Sequence, residues 1–390
     1  MIIEKTTLRL VLSLGLTQTI GFASSYFLPA VLGRPMADSL GYSVSTVYAA
    51  FSLSLIVAAI TVPFAGKYVD AWGGKRILAA SNIWFALSLA FLSQAQSGAA
   101  LFLGWALLGI AMGAGFYDMA FATVVRSRGL AAPPVIAGIT VLAGFASTVS
   151  WPVTHYLLSH FDWRQVLLAW AGAHLFLALP LNLSLVLPMQ PREAEEAPGS
   201  DAAAGKAEKS KAPAMLVLAL AFVFTSFCTG VIVGHLPGLL QLFGVGVGAS
   251  ILAGMAFGPA QVTARLLLLF VQQKIRPVNA AILAMFIGPL GALALALSGP
   301  GAAVLVAIML GFGNGMMTIL KGTLPLSIFG EKGYGRRQGL LFLPAGISLA
   351  LSPFLFSLCI DALGQGALYV FIAAAWIAAL LFLYLKRLAR

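Results

Sequence analysis

The chain has 390 residues, of which 60% are hydrophobic and 9% charged. Soluble proteins carry about a quarter charged residues, so this composition excludes a soluble globular protein and points to one embedded in a bilayer. The net charge of +11 would suit a nucleic-acid binder, but the basic residues lie in short runs between apolar stretches, which argues against that partner.

Met1 to Arg9 leads directly into the first apolar segment. No small-residue cleavage site of a secretory signal is evident, so this segment reads as a retained helix. A helix needs about 20 apolar residues to cross the hydrocarbon core. Twelve segments qualify: 8–32, 46–66, 77–96, 99–125, 134–158, 164–187, 214–243, 248–271, 278–298, 300–328, 337–359 and 366–386. Between the second and third lies a hydrophilic loop, Gly66-Lys67-Tyr68-Val69-Asp70-Ala71-Trp72-Gly73-Gly74-Lys75-Arg76. Gly66 and Gly73 permit a tight turn and close backbone approach, and Asp70 can cap or pair near a helix end. Between the sixth and seventh, Pro188 to Pro213 has almost no bulky apolar residues and reads as a mobile linker. The predicted organisation is a six-helix bundle over 1–187, a cytoplasmic linker over 188–213 and a second six-helix bundle over 214–390.

Positive charge sets the orientation. With both termini cytoplasmic, nineteen of the 23 Lys and Arg fall on the cytoplasmic side, and only Arg34 and Arg164 on the other. Arg265 and Lys321 fall inside predicted helices. The halves also repeat. Leu108-Gly109-Ile110-Ala111-Met112-Gly113 matches Leu310-Gly311-Phe312-Gly313-Asn314-Gly315 at an offset of 202, in the fourth helix of each half. The fold class is therefore all-α: twelve transmembrane helices in two pseudo-symmetric six-helix bundles.

The run G-x-x-x-D-x-x-G-x-K-R, from Gly66 to Arg76, resembles the signature between the second and third helices of the major facilitator superfamily. The run Phe329 to Gly339 looks like the loop many members carry between helices ten and eleven. Three stretches, Ala50 to Leu53, Ala143 to Pro152 and Gly258 to Arg265, resemble bacterial transporters related to monocarboxylate porters, a branch of which has been assigned to trivalent arsenical efflux. The resemblance implies a monomeric secondary transporter in a bacterial inner membrane. It would work by alternating access on a small-molecule substrate held between the halves near the midplane. It implies no cofactor, with a proton gradient as the energy source.

Ionisable groups at membrane depth are costly and hence functional candidates. Arg265 lies in the eighth helix, where related carboxylate porters place an arginine for the substrate anion. Its planar fork suits a carboxylate; the plainer alternative is snorkelling or a structural pair. Asp118 and Lys321 occupy near-equivalent places in the fourth and tenth helices. The resemblance brings these helices together at the cytoplasmic gate, so the two residues are expected to pair when it closes, with Asp118 as proton site. The alternatives are a static pair that neutralises two buried charges, or Asp118 bound to Arg265 within one state.

Other candidates carry less signal. Tyr26, Gln18 and Thr19 on the first helix, and Tyr117, are possible polar contacts to substrate. His235 could sense protons or simply hydrogen-bond at the interface. Cys228 and Cys359 could bind a soft species such as trivalent arsenic, or be small apolar residues. Their spacing gives neither a disulfide framework nor a zinc site, and no metal is expected. No P-loop or catalytic constellation appears, so neither an ATP-driven pump nor an enzyme is expected. The preferred function is proton-coupled transport of a small organic anion through Arg265 and Lys321; the alternative is efflux of toxic molecules such as trivalent arsenicals or drugs.

Overall fold

The computed structural model describes residues 5–185 and 201–388, and much of the predicted linker at 188–213 lies outside them. The described residues form helices and turns, with no strand among them. They divide into two compact units: 1–188 together with 331–343, and 189–330 together with 344–390.

The first unit contains α1 (Lys5–Ala23), α2 (Pro29–Leu40), α3 (Val44–Trp72), α4 (Gly74–Ser93), α5 (Gly98–Gly115), α6 (Tyr117–Arg128), α7 (Pro133–Ala143), α8 (Ala146–Leu158), α9 (Trp163–Ala173) and α10 (Leu179–Leu183). The second contains α11 (Asp201–Leu242), α12 (Val247–Val271), α13 (Pro277–Ser298), α14 (Ala303–Phe329) and α16 (Ala367–Leu388). Between the last two in sequence runs α15 (Tyr334–Leu363), whose start belongs to the first unit and whose remainder, from Pro344, belongs to the second.

Eight helical stretches among the described residues are long and apolar enough to cross a membrane. Two of these, Pro277–Phe329 and Tyr334–Leu388, each contain two helices of at least 22 residues joined by a short 3₁₀ turn, so each supplies two crossings. Counting each of the broken pairs α1/α2 and α7/α8 as one crossing, the described residues supply twelve.

Two sequence expectations need correction. The hydrophilic run after the second span is not a loop: α3 continues to Trp72, and only Gly73, with φ of 87°, interrupts the helix before α4. Charged residues at a helix end reach water and so do not have to stop the helix. Nor are the spans of the first half all continuous. The first breaks between α1 and α2, the fourth at Phe116 and the fifth at Gly144 and Phe145, and the sixth contains a π-helical turn over His174–Ala178.

The repeat is visible in the packing. Cβ atoms built on Gly109 and Gly113 of α5 would strike the backbone carbonyls of Ser54 and Ala58 on α3. On α14, Gly311 and Gly315 meet the carbonyls of Phe257 and Gln261 on α12 in the same way. The glycines are 202 residues apart and the carbonyls 203. Small residues let membrane helices approach this closely, which is how they pack without a hydrophobic driving force between them. Around the first of these contacts the core of the unit gathers Trp105, Phe85, Leu89 and Leu108, all buried.

Gly109→Ala and Gly311→Ala should each destabilise the purified protein by about 1–3 kcal/mol through overpacking. Gly254→Ala, which meets nothing within 4 Å, should leave stability unchanged or slightly raised. Thermal unfolding in detergent checks the contrast.

Candidate functional site

Three helices of the second unit meet at a polar face. α14 carries Asn314, Thr318 and Lys321 at spacings of four and three residues, along one side of the helix. α12 adds Gln261 and Arg265, one turn apart, and α11 adds Ser226 and Thr229. Arg265 is 6% exposed. Its Nη2 donates to Gln261 Oε1 at 3.0 Å and Thr318 Oγ1 at 3.4 Å. Lys321 Nζ donates to Ser226 Oγ at 2.9 Å. Thr229 Oγ1 lies 2.9 Å from Asn314 Oδ1.

The oxygens in these bonds are neutral. A guanidinium and an ammonium thus stand among side-chain hydroxyl and amide oxygens on this face. A charge-assisted bond is roughly twice as strong as a neutral one.

The first unit holds the acidic candidates, and there the partners are donors. Asp118 lies in the first turn of α6, because the fourth span breaks just before it at Phe116. It is 8% exposed and its Oδ1 accepts from Gln338 Nε2 at 2.8 Å. A carboxylate at a helix start is favoured by the aligned peptide dipoles. Asp70, near the end of α3, accepts from the backbone N–H groups of Gly335 (2.9 Å) and Arg336 (2.8 Å). It caps α15 with a side chain from another helix. The approach requires glycine: a Cβ on Gly66 would collide with the Gly335 backbone, and one on Gly335 with Asp70. Lys75 and Arg76 follow in the first turn of α4, Lys75 partly buried and Arg76 exposed.

The remaining candidates scatter. Gln18 is 1% exposed, and its Nε2 donates to the Gly115 carbonyl at 2.7 Å, at the break of the fourth span. Tyr26 sits in the break of the first span, edge-on to Phe22 and Phe51 with ring centroids 6.0 and 5.8 Å away. His235 Nε2 donates to the Pro353 carbonyl at 2.7 Å and faces the Phe356 ring. Thr19 back-bonds to the Gly15 carbonyl within its own helix. Cys228 is buried and Cys359 partly so, and no cluster of three metal-ligating His, Cys, Asp or Glu occurs among the described residues.

Sequence reasoning missed three groups. Gln338 falls inside the run noticed before the eleventh helix, but nothing local marks it as the partner of a residue 220 positions away. Asn82, Ser24 and His174 form a buried chain. Asn82 Nδ2 donates to the Leu78 carbonyl, so Oδ1 faces His174 Nδ1 at 2.9 Å, and Nε2 accepts from the Ser24 hydroxyl at 2.8 Å. The imidazole stacks on Phe85 at 4.4 Å. The third group is the Thr229–Asn314 pair. Only the Gly-rich repeat around Asn314 was visible in sequence.

Asp70→Ala removes both acceptors from the start of α15. It should speed amide hydrogen exchange at Gly335 and Arg336 by roughly tenfold or more, a cap being worth about 1 kcal/mol or above. Exchange in the middle of α14 should stay unchanged.

The model of the Major Facilitator Superfamily matches residues 14–334. Two solved structures share the fold. The proton:xylose symporter XylE, bound to 6-bromo-6-deoxy-D-glucose, is 14% identical with a TM-score of 0.70, over 97% of this chain and 94% of that one. The human organic anion transporter MFSD10 (TETRAN) is 16% identical with a TM-score of 0.75, over 97% and 100%. No curated protein sequence matches the chain.

Proposed function

This chain belongs to the major facilitator superfamily, a family of membrane transporters, and we propose that it carries a small organic anion across a bacterial inner membrane as a proton-coupled secondary transporter. The observation that carries the substrate class is the pair Arg265 and Lys321, bonded to the neutral oxygens of Gln261, Thr318 and Ser226. A carboxylate replacing one of those oxygens gains two parallel bonds from the guanidinium fork and a point charge from the ammonium. Asp118 is the proposed proton site, since it is the acidic residue the sequence sets well inside a span. Its bond to Gln338 changes character when the carboxylate takes up a proton. The basic residues at helix ends support both termini facing the cytoplasm, and the carrier is proposed to work as a monomer by alternating access.

A second reading, efflux of toxic species such as trivalent arsenicals, is favoured by one observation. The Cys228 thiol shares a cavity wall with the thioethers of Met285 and Met317, a soft surface. The two readings differ in their need for charge.

Thermal stabilisation of the purified protein by small carboxylates and by arsenite, at two pH values, separates them. A ligand at a hundred times its Kd adds about 2.7 kcal/mol of apparent stability. A carboxylate shift lost in Arg265→Gln is the expected result. An arsenite shift that survives Arg265→Gln, with none from carboxylates, would favour efflux. For coupling, Asp118→Asn in liposomes should abolish proton-driven uptake and leave counterflow exchange intact; driven uptake at the parent rate refutes Asp118 as the proton site.

A further inference from the structure

The second unit contains a cavity of about 30 Å³ between α11, α13, α14 and α16, room for roughly one water-sized group. Gly288, Gly313 and Ala375 are among the small residues of its wall; a Cβ on Gly313 would strike the Ala284 carbonyl and one on Gly288 would crowd the Leu310 side chain, so these glycines set the spacing of α13 and α14. The rest of the wall is uncharged and soft. Cys228, Met285 and Met317 supply sulfur, and the Thr225 hydroxyl lies 3.8 Å from Met285 Sδ.

Asn314 stands in this wall and also on the polar face of α14. A side-chain amide offers two donors and two acceptor positions, and the bond with Thr229 engages one of them. Its spare capacity borders the cavity. Along α14, Asn314 is four residues from Thr318, the partner of Arg265, and seven from Lys321. Those spacings are about 6 and 10 Å of helix. Arg265 joins this row through Thr318, while the Lys321 ammonium is held at Ser226 on α11, beside the wall residues Thr225 and Cys228.

We propose that Asn314 and the cavity beside it form the subsite for the uncharged end of the transported anion, while Arg265 and Lys321 hold its charged end. The inference rests on the anion reading above. It defines a ligand class: a monocarboxylate with a neutral hydroxyl or carbonyl about 6 Å from the carboxylate, or about five bonds, ending in a tip of one or two heavy atoms. A polarisable wall suits an apolar or thioether tip.

The test is thermal stabilisation by straight-chain carboxylates from acetate to octanoate and by their terminally hydroxylated forms. Parent protein, Asn314→Leu, Ala375→Val, Cys228→Ala and Arg265→Gln are compared, each first shown to unfold cooperatively without ligand. In the parent, apparent affinity should peak at an intermediate length. Ala375→Val fills the cavity and should move the peak to shorter chains, with acetate unaffected. Cys228→Ala enlarges it and should move the peak to longer ones. Asn314→Leu should remove the preference for the hydroxylated form, about tenfold for one buried hydrogen bond. A length profile identical in the parent and both cavity variants, with every shift lost in Arg265→Gln, overturns the subsite and leaves the anion reading standing. No carboxylate shift in the parent protein overturns both.

Discussion

Inside hydrocarbon there is no water to receive a backbone carbonyl that has left its helix, so another part of the protein must bond it. The first unit is organised around that requirement. Where α1 stops, Ser150 Oγ donates to the freed Ala23 carbonyl, and Ser25 Oγ to that of Gly21. Where α5 stops, Gln18 reaches the Gly115 carbonyl. The Ser24–His174–Asn82 chain ties the break of the first span to the third and sixth. The breaks of the first and fourth spans are thus held by side chains from other spans, Ser150 and Gln18, with Ser25 adding a bond from within the first break. The same rule places Asp118. The interruption at Phe116 creates a helix start at membrane depth, and a carboxylate is the side chain that a helix start favours.

The parts of this arrangement that were legible in sequence are those the bilayer imposes from outside. Span lengths follow from its thickness, and the glycines of Gly109–Gly113 and Gly311–Gly315 repeat because each helix pair needs the same close approach. Arg265 and Lys321 stood out because charge is scarce at that depth. The breaks at Phe116 and Gly144 were not legible. The chain stays apolar on both sides of each, and hydropathy does not distinguish a helix from two half-helices. The helical extension through Asp70 to Trp72 was hidden for the opposite reason, since polar residues were read as loop when they were a helix entering water. Partnerships such as Asp118 with Gln338, or Thr229 with Asn314, depend on which faces meet, and small polar residues are too common in membrane helices to announce it.

The two units share a packing plan and differ in chemistry. In the first, the candidate carboxylates accept from amides, Asp70 from backbone N–H groups and Asp118 from a glutamine. In the second, cations rest on hydroxyl and amide oxygens. The glycine contacts between α3 and α5, and between α12 and α14, are the frame the halves have in common. The residues beside those glycines are where they part: Met112, in the apolar core of the first unit, occupies the place of Asn314.

The short helices of the first unit bear on how the chain enters the membrane. α7 has 11 residues and α2 has 12, about 16 and 18 Å of helix against a hydrocarbon core of about 30 Å. Neither can partition from the ribosome exit into lipid as an independent span. Each must leave the insertion machinery joined to the helix that completes it, and its broken joint stays exposed until the bonding side chain arrives. For α1, that partner is Ser150, 127 residues downstream. The break of the first span is therefore not fully bonded until the fifth span is in place, whereas α12, α13 and α14, at 25, 22 and 27 residues, need no such later partner to be long enough to cross.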